Sequence, residues 1–600
     1  MGMEGDLPEE TVLLRANLGV VLSGLPLFNG LDEAIVGEIA AAAEWLSLPG
    51  GATLFAAGEP PDALYVVLSG CLGAFAPDNM RDRRRFMGRV LSGDTVGEMG
   101  LISGRPRSAH VVALRDSELV RIPSESFNRI FGRHPEAMMR IARLTVDRLE
   151  LSQSRVRGPR HGARTFTLLP QSVEVDVGGF ATEFVQALSR FGRTELVWSV
   201  RAESHTSHWF HKIETSNEFV VYVGDPTPGR WSNLCVRQAD ALLLLARAEG
   251  EPGRWAALSS PRDSSMAPQR SELVLLHDGA LVRGAAARWL AGQPSVPHHH
   301  IVTGGDFARL ARMLTGRGVG LVLSGGGARG FAHIGIVKAL REAGVPIDLV
   351  GGTSMGGILG AGVAQCWSVE ELTHRFRRAF VEAKPLRDYT LPFVSLVSGR
   401  KVSKLLRNDF GDITIEDLPL TFFCVSSNLT TGHSEVHRRG EVWRWLRASV
   451  AIPGVLPPVM HKGEVLVDGG TMNNLPVDAM RELGRGPVIG CDVGADRAFT
   501  TDSDELDVPL PWQLMSWLRT RRRRPNIFQI LWRSGMVNSS AMTAAHREKT
   551  DLLLQPPLAQ IDMLNWLAFE RAIASGYEYA VRRLEKLPAD SPLRECMEPP

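Results

Sequence analysis

Leu321-Val322-Leu323-Ser324-Gly325-Gly326-Gly327-Ala328-Arg329-Gly330, followed shortly by Gly352-Thr353-Ser354-Met355-Gly356, is the stretch on which the fold turns. An apolar run before three glycines reads as a buried strand ending in a turn whose backbone N–H groups point outward. The second motif is Gly-x-Ser-x-Gly. Asp348-Leu349-Val350-Gly351 supplies a short strand before it, and Gly357 to Ala364 a helix of small residues after it. Strand, sharp turn and helix form the context in which such a serine is lifted out of the backbone and exposed.

Taken alone, the serine motif is weak evidence in a chain with 60 glycines among 600 residues, where a tight turn of small residues serves equally well. A serine hydroxyl also needs a base. Asp468 in Val465-Leu466-Val467-Asp468-Gly469-Gly470 ends an apolar strand before two glycines, so it is placed at a sheet's carboxyl edge. By itself it reads equally as a turn-initiating Asp-Gly pair. The amides of Gly325, Gly326 and Gly327 can face a developing oxyanion, and a helix starting near Arg329 would add its positive end. Together the three elements point to acyl transfer. Arg329 itself fits either a phosphate contact or a solvated turn.

Gly325, Gly327 and Gly330 also fit Gly-x-Gly-x-x-Gly, with Asp348 as the acid of a dinucleotide fingerprint. In that fold the acid ends the second strand, whereas Asp348 precedes its apolar run and a serine sits where the strand ends. The dinucleotide enzyme stays as the weaker alternative.

These residues carry a family resemblance. Gly325 to Gly330, Gly352 to Gly356 and Asp468-Gly469-Gly470 resemble the three signatures of patatin-like phospholipases. Ala448-Ser449-Val450-Ala451-Ile452-Pro453 with Leu456-Pro457-Pro458-Val459 resembles that family's segment before the Asp-Gly motif. The match covers roughly residues 318 to 493. It implies a Ser–Asp dyad, with Ser354 as nucleophile and Asp468 as base and no catalytic histidine. His333 then belongs to the helix after the glycine loop as a structural residue.

The totals bound the rest. Six hundred residues exceed one core, so three or four domains are expected. Lys and Arg number 67 against 66 acids, a balance that offers no surface for nucleic acid. The six cysteines are scattered without a C-x-x-C pair, as in a reducing compartment, and suggest neither a disulfide framework nor a zinc site. No signal-peptide pattern opens the chain, and no run reaches the roughly 18 apolar residues of a spanning helix. The expected location is cytoplasmic, with peripheral membrane contact left open.

From about residue 20 to 125 short strands such as Ala63 to Leu68 and Ala109 to Leu114 alternate with turns, as in an antiparallel β jelly roll. A helix follows from Pro135 to Leu151. Val96-Gly97-Glu98-Met99-Gly100-Leu101-Ile102 and Arg105-Pro106-Arg107-Ser108-Ala109 resemble the phosphate-binding cassette of cyclic-nucleotide-binding domains. The resemblance implies a cyclic AMP or cyclic GMP site of Gly97, Glu98, Arg107 and Ser108, in which Glu98 binds the ribose 2′-OH and Arg107 with Ser108 holds the cyclic phosphate. Met99-Gly100 and His110 depart from the usual residues, so a barrel that has lost its ligand remains open.

From Thr165 to about Pro297 strands and helices alternate, as in an α/β layer with a mostly parallel sheet. Trp231 to Asp240, His298-His299-His300 and Asp306 to Arg312 are similar to segments of the neuropathy target esterase branch of patatin-like proteins. Three adjacent histidines cannot all face one ion easily, so a polar junction is expected there and no metal. In the tail, Trp512 to Thr520, Arg521-Arg522-Arg523-Arg524 and Ile527 to Trp532 fit either a membrane interface or a helix pair with a basic turn.

The expected architecture is an N-terminal segment (1–20), a cyclic-nucleotide-binding β jelly roll (21–152), an intermediate α/β region (163–305), an α/β patatin-like hydrolase (316–495) and a mostly helical C-terminal region (496–600). The expected activity is cleavage of phospholipid or lysophospholipid carboxyl esters, with no cofactor for catalysis and a cyclic nucleotide as effector. A catalytically inactive, nucleotide-sensing regulatory protein is the alternative from another class.

Overall fold

The computed structural model describes residues 18–25, 27–78, 83–153, 162–199, 207–227, 229–252, 270–291, 296–391, 393–494 and 539–597. The Trp512 to Trp532 segment, with Arg521 to Arg524, lies outside these residues. The chain forms two compact units, Met1–Val274 and Leu275–Pro600.

In the first unit two four-stranded antiparallel sheets make the jelly roll. One carries Glu44–Leu48, Ser117–Pro123, Ala63–Ser69 and Thr95–Val96 in that order; the other carries Thr53–Phe55, His110–Ala113, Cys71–Asp78 and Arg83–Leu91. Leu64, Val66, Val120 and Ile122 are fully buried, packed with Phe127 and Phe131 of the helix that follows. Each such side chain contributes about 1.5–3 kcal/mol by leaving water. The helix expected from Pro135 runs over Pro135–Gln153.

The α/β layer follows. Thr194–Val197, Phe219–Val223, Thr165–Pro170 and Ala241–Arg247 lie side by side in that order, all parallel. Phe219–Val223 is buried along its whole length, which is why it reads as a continuous apolar run rather than an alternation. Arg115 of the jelly roll reaches this layer, pairing with Glu214 and, at 2.7 Å, with Asp240. Burial opposes the charge on Asp240, but Arg115 and Arg89 outweigh it and hold the carboxyl low. Burial is the stronger influence on Glu214, whose carboxyl is raised despite Arg115. Loss of Arg115 would strand the buried Glu214, while Asp240 keeps Arg89, at a cost of about 3–5 kcal/mol.

The second unit is built on one mixed sheet. Its strands are β1 (Gly320–Leu323), β2 (Leu349–Thr353), β3 (Thr421–Asn428), β4 (His433–His437), β5 (Val459–His461), β6 (Glu464–Asp468), β7 (Val488–Cys491) and β8 (Leu552–Leu554). The order is β5-β6-β3-β2-β1-β7-β8, with β4 also on β3. β1 pairs in parallel with both β2 and β7, so the chain reverses its winding there, and open α/β sheets place their sites at that point. β8 joins β7 in parallel from the tail, which was expected to be mostly helical.

Three of the unit's helices bear on the serine turn and glycine loop: α1 (Ala332–Glu342), α2 (Met355–Ala364) and α3 (Phe569–Glu585). α1 and α3 touch through their backbones. A Cβ at Gly335 would collide with the Ile573 carbonyl, and one at Gly576 with the Ala332 carbonyl. Phe331, just before α1, packs on Phe569 with ring centroids 4.6 Å apart.

Candidate active site

β2 ends at Thr353 and α2 begins at Met355, leaving Ser354 alone at the turn with φ 54° and ψ −124°. That backbone region favours glycine, and holding a serine in it costs about 1–3 kcal/mol. The turn can be this tight because its neighbours are small. A Cβ at Gly352 would meet the Gly356 carbonyl carbon at 2.6 Å, and one at Gly356 would collide with the Leu323 carbonyl. The strain is held by hydrogen bonds: the Ser354 amide donates to the Ser449 hydroxyl at 2.9 Å, which donates in turn to the Val425 carbonyl at 2.6 Å.

Asp468 arrives as the last residue of β6. The Ser354 hydroxyl donates to Asp468 Oδ2 at 2.7 Å, and the Gly470 amide donates to Oδ1 at 2.8 Å. Asp468 is fully buried, while Ser354 keeps 9% of its surface exposed. Burial pushes the Asp468 carboxyl up to about 7, against the lowering effect of the Ser354 and Gly470 hydrogen bonds. No histidine contacts Ser354 among the described residues. His333 is fully buried and donates through Nε2 to the Ser324 carbonyl, and burial pushes it down to about 4. It braces the strand that leads into the glycine loop.

After β1 the loop leaves Gly325 beside the nucleophile, where an added Cβ would stand 3.0 Å from Ser354 Cβ. The Gly325 amide makes a long 3.4 Å bond to the Asn474 carbonyl, and the Ala328 amide donates to Met563 O at 2.8 Å. Among the described residues the Gly326 and Gly327 amides donate to nothing. Gly327 has φ 58° and lies so close to the Met563 carbonyl that a Cβ would collide with it. Residues 327–331 form a 3-10 turn before α1, so the helix starts slightly later than expected. Arg329 donates through Nε to the Ile561 carbonyl, which anchors the loop to the tail segment.

Ser449, Asn474 and Met563 thus shape the site without having been singled out for it. Ser449 lay inside the quoted segment before the Asp-Gly motif; Met563 carries no local signal. Asp348 sits at the opposite end of β2. It is 1% exposed, pairs with Arg312 at 2.8 Å and accepts the Val319 amide at 2.9 Å. A carboxylate so committed, at the far edge of the sheet from the glycine loop, is no ribose acceptor. A cavity of about 470 Å³ lies at that same far edge, with Asp348 and Leu349 in its wall.

The histidine run is knitted into the protein. His277 Nδ1 accepts the Val282 amide, so its Nε2 donates to His300 Nδ1 at 2.9 Å. His298 and His300 both donate through Nε2 to the Glu416 carbonyl, at 2.7 and 2.9 Å. Burial holds both rings neutral, His298 at about 4.

In the jelly roll, Gly97 (φ 94°) precedes a short helix, Glu98–Ser103, and Glu98 is 5% exposed. Arg107 is equally buried and donates to the Gly97 carbonyl, to Asp62 and to the Ala63 carbonyl at 2.7–2.8 Å, with its guanidinium 4.3 Å from the Phe55 ring centre. Its Nε has no hydrogen-bond partner among the described residues. Burial opposes the charge on Asp62, but Arg107 and Arg121 outweigh it and keep its carboxyl low. Ser108 is exposed beside Arg107. The structure therefore brings Gly97, Glu98, Arg107 and Ser108 to one edge of the barrel.

Comparison with known proteins agrees with this layout. Residues 321–481 match the patatin-like phospholipase family, 45–134 the cyclic nucleotide-binding domain, and 162–305 the Neuropathy Target Esterase family P-loop like domain. Lysophospholipase NTE1 of Candida glabrata is 29% identical over 91% of this chain and 40% of its own length. Patatin-like phospholipase domain-containing protein 6 is 30% identical in Pongo abelii and 29% in Homo sapiens, over 94% of this chain and 46% of each relative. The chain spans less than half the length of these relatives. In order along its length, it carries a cyclic nucleotide-binding domain, a Neuropathy Target Esterase family P-loop like domain and a patatin-like phospholipase domain.

Proposed function

We propose that the chain is a serine esterase that cleaves carboxyl esters of phospholipids or lysophospholipids through a Ser354–Asp468 dyad. The observation that carries this reading is the 2.7 Å hydrogen bond from a strained, partly exposed serine to a fully buried aspartate. The names of the relatives, lysophospholipase and patatin-like phospholipase, supply the substrate class.

The chemistry follows from the donors and acceptors present. Ser354 Oγ attacks the ester carbonyl while its proton passes to Asp468 Oδ2. The negative charge that develops on the carbonyl oxygen meets the Gly326 and Gly327 amides, with Gly325 completing the loop. Collapse breaks the ester C–O bond. Asp468 returns the proton to the departing alcohol oxygen, leaving an acyl-serine. Water then attacks that ester, gives its proton to Asp468, and the fatty acid leaves as Ser354 recovers its proton. A carboxyl near 7 suits both directions of this transfer, because it can take a proton and also give it back.

A cyclic nucleotide is proposed as effector, held by Glu98 at its ribose and by Arg107 and Ser108 at its phosphate. A buried arginine next to a helix N-terminus is suited to that anion.

An alkyl fluorophosphonate tests the catalytic reading. Labelling of the wild type that is lost in Ser354→Ala and Asp468→Asn, together with release of fatty acid from lysophosphatidylcholine, is the expected result. A wild type that neither labels nor releases fatty acid would leave a binding protein with an inactive hydrolase fold.

A further inference from the structure

The catalytic edge of the second unit is bordered by apolar side chains that the fold leaves in solvent. Tyr389 is 78% exposed, Leu391 72%, Phe393 90% and Val394 64%. Met460 on β5 and Leu429 just after β3 are also exposed, and Leu567 is 85% exposed on the tail segment. Contiguous exposed apolar side chains mark interaction surfaces, since burying each would otherwise stabilise the fold by about 1.5–3 kcal/mol.

These side chains come from four separate places in the chain, and each place is tied to a segment that carries or seats Ser354, Asp468 or the glycine loop. The Leu396 and Val397 amides donate to the Gly454 and Val455 carbonyls, just after Ala451, whose carbonyl accepts the Asp468 amide. Met460 lies on β5, which pairs with the strand ending in Asp468, and the Leu429 amide donates to the Val465 carbonyl of that strand. Leu564 and Leu567 follow Met563, whose carbonyl accepts the Ala328 amide of the glycine loop.

The two ends of the segment that carries Tyr389, Leu391 and Phe393 are tied together. Tyr389 bridges Val397, the Thr390 amide donates to the Leu396 carbonyl, and the Ser398 hydroxyl donates to Asp388. Its flanks are mainly basic: Lys384, Arg387, Arg400 and Lys401 are exposed against one exposed acid, Glu382, while the nearby Asp388 is occupied by Ser398 and the Lys401 amide. Exposed Tyr and Phe on a loop tied at its ends, with cations on its flanks, match the boundary between acyl chains and anionic headgroups. A protein partner would need a complementary surface. A lipid surface needs only apolar side chains that insert and cations that stay outside.

We propose that this loop docks the enzyme on an anionic lipid surface, with Tyr389, Leu391 and Phe393 inserted and the basic flanks against headgroups, so that an ester is drawn up to recessed Ser354. The proposal rests on the lipid-ester reading above and names the physical state in which the substrate is met.

The test uses the full chain with vesicles of phosphatidylcholine and phosphatidylserine that carry lysophosphatidylcholine, alongside the soluble ester p-nitrophenyl butyrate. The variant Tyr389→Ser, Leu391→Ser, Phe393→Ser is expected to lose vesicle partition and vesicle-borne hydrolysis by about tenfold or more while keeping its rate on the soluble ester. Phe393→Trp is expected to keep partition, and Arg387→Ala with Lys401→Ala to weaken it only where phosphatidylserine is present. Unchanged partition and vesicle hydrolysis in the serine variant would overturn the proposal. So would a serine variant whose self-association changes while its vesicle binding does not, which would assign the loop to a second copy of the chain. Failure of the wild type on both esters would remove the hydrolase reading instead, and partition would still report on docking.

Discussion

The Ser449 hydroxyl accepts the Ser354 amide and donates to the Val425 carbonyl, so it fastens the Ser354 backbone to the adjacent strand β3. It hydrogen-bonds to neither the Ser354 hydroxyl nor the Asp468 carboxylate. Ser449→Ala is therefore expected to lower kcat about tenfold with KM little changed, because a loosened turn misplaces Oγ. Ser449→Thr, which restores a hydroxyl, should recover part of the rate. Steady-state kinetics on a soluble ester separates this positioning role from a loss of fold.

Asp468 gives a pH dependence with a definite sign. Its working form as base is ionised, so kcat/KM should rise with pH through a single transition near pH 7. Stability runs the other way. A carboxyl raised from 3.8 to about 7 stabilises the folded state most below its unfolded value, and that contribution is lost as pH rises through the folded value. Asp468→Asn should thus be inactive yet gain stability relative to wild type on going from pH 4 to pH 8. The shift corresponds to on the order of a few kcal/mol. Urea midpoints at the two pH values check it.

Ser354 carries backbone strain that its substitutions can separate from chemistry. Ser354→Ala and Ser354→Gly both abolish ester cleavage and both deprive Asp468 of its partner. Only glycine relaxes at φ 54°. After allowance for glycine's greater freedom when unfolded, Ser354→Gly should be more stable than Ser354→Ala by about 1 kcal/mol. Equal thermal midpoints would show that the turn is not strained.

Arg107 makes three hydrogen bonds at once inside the barrel and stacks on Phe55. Lysine cannot reproduce that planar fork. Arg107→Lys is expected to weaken cyclic AMP and cyclic GMP binding by about tenfold or more, a loss of roughly 1.4 kcal/mol. Calorimetric titration of the full chain measures it.

The parts of the site legible in the sequence are those that a few adjacent residues define. The glycine loop, the serine turn and Asp468-Gly469 each announce a local backbone shape, and the apolar runs before them mark the strands of a buried sheet. What was illegible depends on distant chain. Ser449 meets Ser354 only because the helix Val442–Ser449 ends against β3 next to the serine turn, and Met563 closes on Gly327 from the tail. β8 is a three-residue run, Leu552–Leu554, too short for its pairing with β7 to leave a pattern. In the jelly roll, the attachment of Arg107 to Asp62 crosses strands and has no spacing to reveal it.

The contact of α1 with α3 through Gly335 and Gly576 bears on how the protein is made. A ribosome that has already translated Ser354 and Asp468 has not yet produced the Met563 carbonyl that seats the glycine loop or the helix at Phe569–Glu585 that locks α1. The growing chain therefore carries Ser354 and Asp468 well before it carries the segment that seats the glycine loop. On the proposed reading, ester cleavage waits until the tail emerges and docks.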